Sequence, residues 1–263
     1  MRRNRAAAAA LVSLLVATGA AGLTAAPSVA ATIPASILDL QNWKLEQPTG
    51  SSTNATVVSQ PELAMFVADP WFVSTTAGDA VRFRAPVACT ARRTGPSCGS
   101  RSSTNTSYAR SELQETTAGT NTRAAWSMAT GTHTLEVRLA FTTLPADKPH
   151  VVGMQIHDAL DDVTAVRLEG KKLWATQGDN THFKLLKSKY RLGKVVTVKY
   201  VASGGKIRVF YNGTAQATIP SSATGNFFKT GAYTQANCDN SSPCDGTVNY
   251  GEVQIYSIKV THL

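Results

Sequence analysis

The feature that most limits what this chain can become is a period of two. Runs such as HTLEVRLAF, KVVTVKYVA, GKIRVFYNG and GEVQIYSIKV alternate apolar and polar residues, and Gly, Asn, Asp or Pro interrupts them after a few positions. Alternation at that period puts the apolar side chains on one face of a strand. HVVGMQIHD, TAVRLEG, KLWATQ and TAQATIP are further short β-rich runs. No segment reads as a long amphipathic helix; PELAMFVAD, 61–69, is the best short helical candidate. The turn residues agree. RLEGKKLWA reads as a hairpin turning at Gly170, and VASGGKIRVFYNGTAQATI as two hairpins in series, turning at Gly204-Gly205 and Asn212-Gly213. Many short strands with regular turns require a sandwich or a barrel. With no repeat and no linker, residues 31–263 are expected to form a single all-β domain.

The first thirty residues stand apart. MRRNR is basic, AAAAALVSLLVATGAAGL is apolar and alanine-rich, and SVA before Ala31 fits a small-x-small cleavage site. This reads as a secretory signal peptide cut after Ala30, which makes the protein secreted and extracellular. No later segment is long and apolar enough to span a bilayer, so no membrane association is expected after cleavage. The formal charge is +9; residues 1–30 carry Arg2, Arg3 and Arg5 and no acid, so removing them leaves +6. A secreted basic protein suggests a polyanionic partner, and charge alone does not choose between nucleic acid and acidic polysaccharide. Four cysteines form two close pairs, Cys89 with Cys98 and Cys238 with Cys244. Thiols oxidise outside the cell, and of the three possible pairings the local ones are expected. A zinc site is disfavoured, because Cys-x-x-Cys spacing and a nearby His pair are both missing.

Three strands break the apolar pattern on one face each. Gln155 and His157 lie two apart at the end of the apolar run VVGMQIH. In YARSELQE, Arg110, Glu112 and Gln114 share one face. In NFFKTGAYTQAN, Lys229, Gly231, Tyr233 and Gln235 share a face, opposite Phe228, Thr230, Ala232 and Thr234. A half-buried strand commonly gives its polar face to water. A solvated face, however, tends toward Lys, Glu, Ser and Thr, whereas these faces hold the donor-rich set of a polar binding groove.

The segments RSEL at 110–113, QIH at 155–157 and FFKTGAYTQ at 227–235 resemble, in order and separation, the three signature segments of polysaccharide lyase family 7, the alginate lyases. NWKLEQP at 42–48 is similar to the family's opening strand, and GEVQIYSIKVTH at 251–262 to its last. The resemblance covers essentially all of the chain after residue 30. It implies a β-jelly-roll sandwich of two curved antiparallel sheets with a substrate groove on the concave face, and no cofactor or catalytic metal. Departures from the family pattern are Gln114 in place of a second arginine, Phe227-Phe228 before Lys229, and Glu46-Gln47 where threonine and leucine are common. They bear on the substrate more than on the reaction, because Arg110, Gln155, His157 and Tyr233 all remain, and Gln114 leaves room for another polyuronate such as glucuronan.

The implied reaction is β-elimination in a uronic-acid polymer. The C5 proton is α to a carboxylate and barely acidic, so that carboxylate must first be masked. Arg110 offers a permanent, forked cation and Gln155 an amide donor. His157 and Tyr233 are the candidates for base and acid. The resemblance implies Tyr233 as the acid, and as the base too on one sugar epimer, with His157 the base or orienting group on the other. Glu112, Gln114, Lys229 and Gln235 are placed as substrate contacts, with Lys229 drawing in the polyanion and Glu112 orienting Arg110 or binding a hydroxyl. The partner is then an acidic polysaccharide, not nucleic acid, and the protein is expected to act as a monomer. A glycosidase needs two carboxylates across the bond, and only Glu112 lies on these faces. GPSCG at 95–99 spells a nucleophile-elbow pattern, but no helix follows it. A non-catalytic acidic-polysaccharide-binding jelly roll would want aromatic platforms and has no need of His157 opposite Tyr233.

Overall fold

Alternation becomes burial wherever a strand has one face on the core. Val196–Ser203 buries Val196, Val198, Tyr200 and Ala202 and leaves the residues between them half-exposed. The structure, a computed structural model, describes residues 32–50, 55–88 and 106–263. The expected signal peptide at 1–30 and the GPSCG segment lie outside the described residues.

The strands in chain order are β1 (Trp43–Gly50), β2 (Ala55–Val58), β3 (Phe72–Ser74), β4 (Val81–Pro86), β5 (Arg110–Glu115), β6 (Thr132–Thr143), β7 (His150–His157) and β8 (Asp162–Glu169). There follow β9 (Lys172–Gln177), β10 (Asn180–Lys187), β11 (Val196–Ser203), β12 (Lys206–Tyr211), β13 (Thr214–Pro220), β14 (Phe227–Thr234) and β15 (Tyr250–His262). They form two antiparallel sheets, ordered β10-β9-β8-β7-β14-β5-β1-β2 and β13-β12-β11-β6-β15-β4-β3. This is the all-β sandwich expected. Leu45, Leu113, Met154, Ile156, Val166 and Phe228 of the first sheet close on Phe83, Val137, Leu139, Phe141, Tyr200 and Ile255 of the second. Burying that apolar surface is the main favourable term in folding.

The turns form where the sequence places them. Asn212 and Gly213 both have positive φ, 47° and 81°, as a two-residue hairpin between β12 and β13 demands. Residues 61–69 differ from expectation. Only a 3-10 turn forms, Glu62–Met65, and of that turn only Leu63 reaches the core. Ala68 turns instead into a bridge with Phe72, and Pro70 biases Asp69 against helix. Of the two disulfides expected, Cys238 and Cys244 are bonded, at the base of the loop after β14. The other expected pair, Cys89 with Cys98, lies outside the described residues. At the end of β5, Glu115 ties the sheets together. It accepts from Trp126 Nε1 (3.0 Å), the Phe228 amide (2.9 Å) and His262 Nε2 (2.5 Å) of β15.

Candidate active site

The site lies on the face of the eight-stranded sheet that points away from the core. On β5 the expected alternation holds: Leu113 packs inward and Ser111 donates to the Trp71 carbonyl, while Arg110, Glu112 and Gln114 face the other way. Yet all six residues of the strand are buried. A polar face covered this completely is not a solvated one.

Register explains the crowding. Across β1, β5, β14 and β7 the opposed pairs are Glu46 with Glu112, Gln114 with Lys229, Arg110 with Tyr233, and Lys229 with Gln155. Directly opposed residues share a face, so one polar face extends across four strands. Gly231 stands opposite Glu112, where a Cβ would come within 2.7 Å of the Glu112 Cα, and its φ is +153°. Glycine there lets β14 and β5 approach. Beside it the pairing of β14 with β7 slips between Thr230 and Tyr233, a bulge of the kind that re-aims side chains next to sites.

The charges on this face are matched. Glu112, with no exposed surface, accepts from Gln155 Nε2 (2.5 Å) and Arg110 Nη1 (3.0 Å), and its second oxygen also meets Lys229 Nζ at 2.9 Å. Lys229 bridges on to Glu46 at 3.0 Å, and Arg110 Nε lies 3.8 Å from the same carboxylate without a hydrogen bond. Burial pushes the Glu46 carboxyl up, but Lys229 and Arg110 outweigh it and hold the group below its usual range. Burial likewise works against the Arg110 cation, and Tyr233, Glu112 and Glu46 more than reverse it. Two cations and two carboxylates therefore interlock, which is how buried charge is tolerated.

Above this array an open cleft of about 480 Å³ is lined by Arg110, Gln155, His157 and Tyr233, with Thr106, Tyr108 and Asp162 among its walls. The Arg110 guanidinium lies 3.9 Å over the Tyr233 ring, a cation–π contact. The Tyr233 hydroxyl is 2.8 Å from Thr106 Oγ1. His157 stacks on Phe227, 5.2 Å between centroids, and its Nδ1 donates to the Asp158 carbonyl at 2.8 Å. That bond fixes the tautomer with an unprotonated Nε2. Burial pushes the imidazole below its ordinary value; the Asp158 carbonyl pulls the other way, and Lys229 and Arg110 add to the lowering. His157 is thus neutral and able to take a proton near neutral pH.

The structure brings the four expected catalytic candidates into one cleft. It treats the expected substrate contacts differently. Glu112 and Lys229 are 0% and 3% exposed and are engaged with each other; Glu112 holds Arg110 and Gln155, and Lys229 is shared between Glu112 and Glu46. Gln114 is nearly buried outside the cleft, and Gln235 lines an adjoining depression. Sequence reasoning missed Glu46 as a partner, although its place in the alternation of Lys44 and Glu46 put it on this face. It also missed Asp161 and Asp162, for which the acidic turn DALDD directly after QIH was the available signal.

A family model described as alginate lyase matches residues 38–262. Among solved structures, the alginate lyase from Corynebacterium sp. is 48% identical, with a TM-score of 0.82 over 89% of this chain and 99% of that one. The alginate lyase AlgAT5, of polysaccharide lyase family 7, is 41% identical, with a TM-score of 0.79 over 88% and 99%. Alginate lyase A1-II′, held with a GGMG substrate, is 22% identical, with a TM-score of 0.70 over 89% and 97%, and speaks for the jelly-roll fold alone. No protein of curated function matches the chain.

Proposed function

Since the chain belongs to the alginate lyase family, we propose that it cleaves the 1,4-linkages of alginate by β-elimination in the cleft of Arg110, Gln155, His157 and Tyr233. One observation carries this reading: residues from β5, β7 and β14, far apart in sequence, line a single opening with a cation, an amide, a neutral imidazole and a phenol. Arg110 and Gln155 receive the uronate carboxylate. Their other donors are held by Glu112, so they are fixed before substrate arrives. Donors placed where charge develops contribute on the order of 3–4 kcal/mol each.

His157 Nε2 or the Tyr233 oxygen then removes the C5 proton. The released electron pair forms the C4–C5 double bond as the C4–O4 bond breaks, and O4 takes a proton from the Tyr233 hydroxyl. The products are a 4,5-unsaturated uronate and a shortened chain with a new reducing end, and no water is consumed. Arg110 over the Tyr233 ring stabilises phenolate character as that proton leaves. The +6 charge of residues 31–263 favours encounter with the polyanion. The apolar segment ahead of Ala31 supports export of the protein to where such polymers occur, and a monomer suffices, because all four side chains come from one chain.

The test is to mix the purified protein with polymannuronate, polyguluronate and a glucuronate polymer. A rise in ultraviolet absorbance from the new double bond on either alginate polymer supports the reading. A rise on the glucuronate polymer alone moves the substrate to glucuronan. Binding without a rise makes the protein a lectin, and reducing ends without a rise make it a hydrolase.

A further inference from the structure

The groove continues past the cleft. A depression of about 210 Å³ adjoins it, and the two share Gln155, Asp161, Asp162 and Tyr233. The rest of the depression holds Arg167, Asp179 and Gln235 among its walls. Its charges are sorted along the strands. Asp162 pairs across to His157 at the end of β7, whereas Arg167 pairs across to Val152 near the start. Asp179 sits on the exposed turn between β9 and β10, at the same end of the sheet as Asp162.

Asp162 faces the groove because of a register shift. Val166 and Leu168 of β8 point inward, and strict alternation would send Asp162 with them. The pairing with β7 slips between Thr164 and Asp162, giving β8 one extra residue. That residue, Val163, turns to the core, and Asp162 emerges beside His157. The adjoining turn is braced: Asp158 Oδ1 accepts from the amides of Leu160 (2.7 Å) and Asp161 (2.9 Å), and Asp161 Oδ1 accepts from the Asp162 amide (2.8 Å). None of Asp161, Asp162 and Asp179 forms an ion pair among the described residues, and Arg167 is engaged by Glu169 and His150. Among the described residues, the wall therefore holds carboxylates without a paired cation in a groove that must take a polyanion.

We propose that Asp162, flanked by Asp161 and Asp179, sets specificity at the sugar position next to the reacting one, admitting a uronate only with its carboxylate turned from the acidic wall toward Arg167 and Gln235. The proposal rests on the lyase reading above. Mannuronate and guluronate differ in configuration at C5, so a carboxylate held to one side of a ring accepts one epimer and repels the other. Such a wall converts a stereochemical difference into a charge–charge difference. The groups facing Asp162 are Asp161 on its own turn, Asp179 from the β9–β10 turn, His157 from β7 and the buried Tyr200 from the second sheet. Burial and the charges of Asp161 and Asp179 push the Asp162 carboxyl up to about 6, so Asp162 is charged at pH 8 and largely protonated at pH 5.

The experiment measures kcat and KM of the parent, Asp162→Asn and Asp179→Asn on polymannuronate and polyguluronate at both pH values. At pH 8, KM for the disfavoured polymer should fall about 3–10-fold in Asp162→Asn and about 2–3-fold in Asp179→Asn, the size of one removed repulsion in partly solvated surroundings. The ratio of kcat/KM between the polymers should narrow accordingly. At pH 5 the Asp162→Asn difference should shrink below about twofold, because the parent then carries less charge on the wall. Asp179 is exposed on a turn, so its replacement keeps the test open even if Asp162→Asn folds poorly. A polymer ratio that stays fixed in both variants, with an active parent, overturns the wall alone; an inactive parent overturns the lyase reading instead.

Discussion

Replacing Glu112 by glutamine removes one charge and one acceptor from a place with no spare capacity. Three donors converge on this carboxylate: Gln155 Nε2 at 2.5 Å on one oxygen, and Arg110 Nη1 and Lys229 Nζ at 3.0 and 2.9 Å on the other. An amide of the same shape has a single acceptor oxygen. If that oxygen serves the two cations, Gln155 faces an N–H₂ group. It regains a partner only by turning its own amide over, which exchanges the donor and acceptor it shows to the cleft. If the oxygen serves Gln155, two cations face the N–H₂ group. An unmet buried donor costs about 1–3 kcal/mol, and a broken buried charge pair about 3–5 kcal/mol. Glu46 retains part of the compensation, so a net loss of roughly 2–4 kcal/mol is expected. At about 2–4 °C per kcal/mol for a domain this size, Tm should fall by roughly 5–15 °C. Misplacement of Arg110 and Gln155 should also lower kcat on the order of 10²-fold. Thermal unfolding by circular dichroism and the ultraviolet absorbance assay read the two effects separately. A variant that melts within about 1 °C of the parent and keeps kcat within about twofold would refute the anchoring role of Glu112.

Three further outcomes are expected. Tyr233→Phe should lower kcat about 10²–10⁴-fold while leaving oligosaccharide binding nearly intact, because the ring still stacks under Arg110 and only the proton donor is lost; unchanged turnover would remove Tyr233 from the chemistry. The acidic limb of the pH–activity profile should lie below the ordinary histidine value of about 6.5, since His157 is held neutral by burial and takes up its proton only at lower pH; a limb above that value would contradict the geometry. Replacing both Cys238 and Cys244 by serine should cost about 2 kcal/mol through the freed short loop, a drop of roughly 4–8 °C in Tm, with kcat retained.

What the sequence made legible was whatever a two-residue period encodes. The hairpins at Gly170, Gly204-Gly205 and Asn212-Gly213 and the inward faces of β6, β11, β12 and β15 all follow from alternation and turn chemistry. The edge strand β10 was not legible, because an edge strand that is mostly exposed carries little apolar alternation. β4 was readable in principle, as Val81, Phe83 and Ala85 alternate with Arg82 and Arg84, but it is short and ends at Pro86. At the site, the period gave the faces and missed the pairings. Nothing local says that Lys229 is enclosed by Glu46 and Glu112 from two other strands, nor that a slip in β8 delivers Asp162 to the groove. Both depend on register between strands remote in sequence, which alternation leaves free by any even number of residues.

Glu46 joins these threads, because it is both a departure from the family's opening strand and the second carboxylate in the array. Arg110 and Lys229 are balanced by Glu112 and Glu46, so these four side chains together bring no net charge to the floor of the cleft where a polyanion must bind. With the carboxyl held below its usual range, Glu46 is ionised throughout the neutral range, and its contribution to stability is present there and lost only as pH falls through its lowered folded value. Glu46→Gln leaves Lys229 on Glu112, keeps an amide oxygen within reach of Nζ, and gives the floor one net positive charge. KM for alginate should therefore fall about 3–10-fold at low ionic strength, and the gain should vanish toward 1 M salt, where the screening length is about 3 Å. The cost should be at most about 1–2 kcal/mol, since Glu46 is partly solvated and only one of the two contacts of Lys229 is weakened. If KM rises instead, with Tm preserved, then Glu46 acts by holding Arg110 in place and not by setting the charge of the cleft, and the neutral floor is a requirement of the reaction rather than a restraint on affinity.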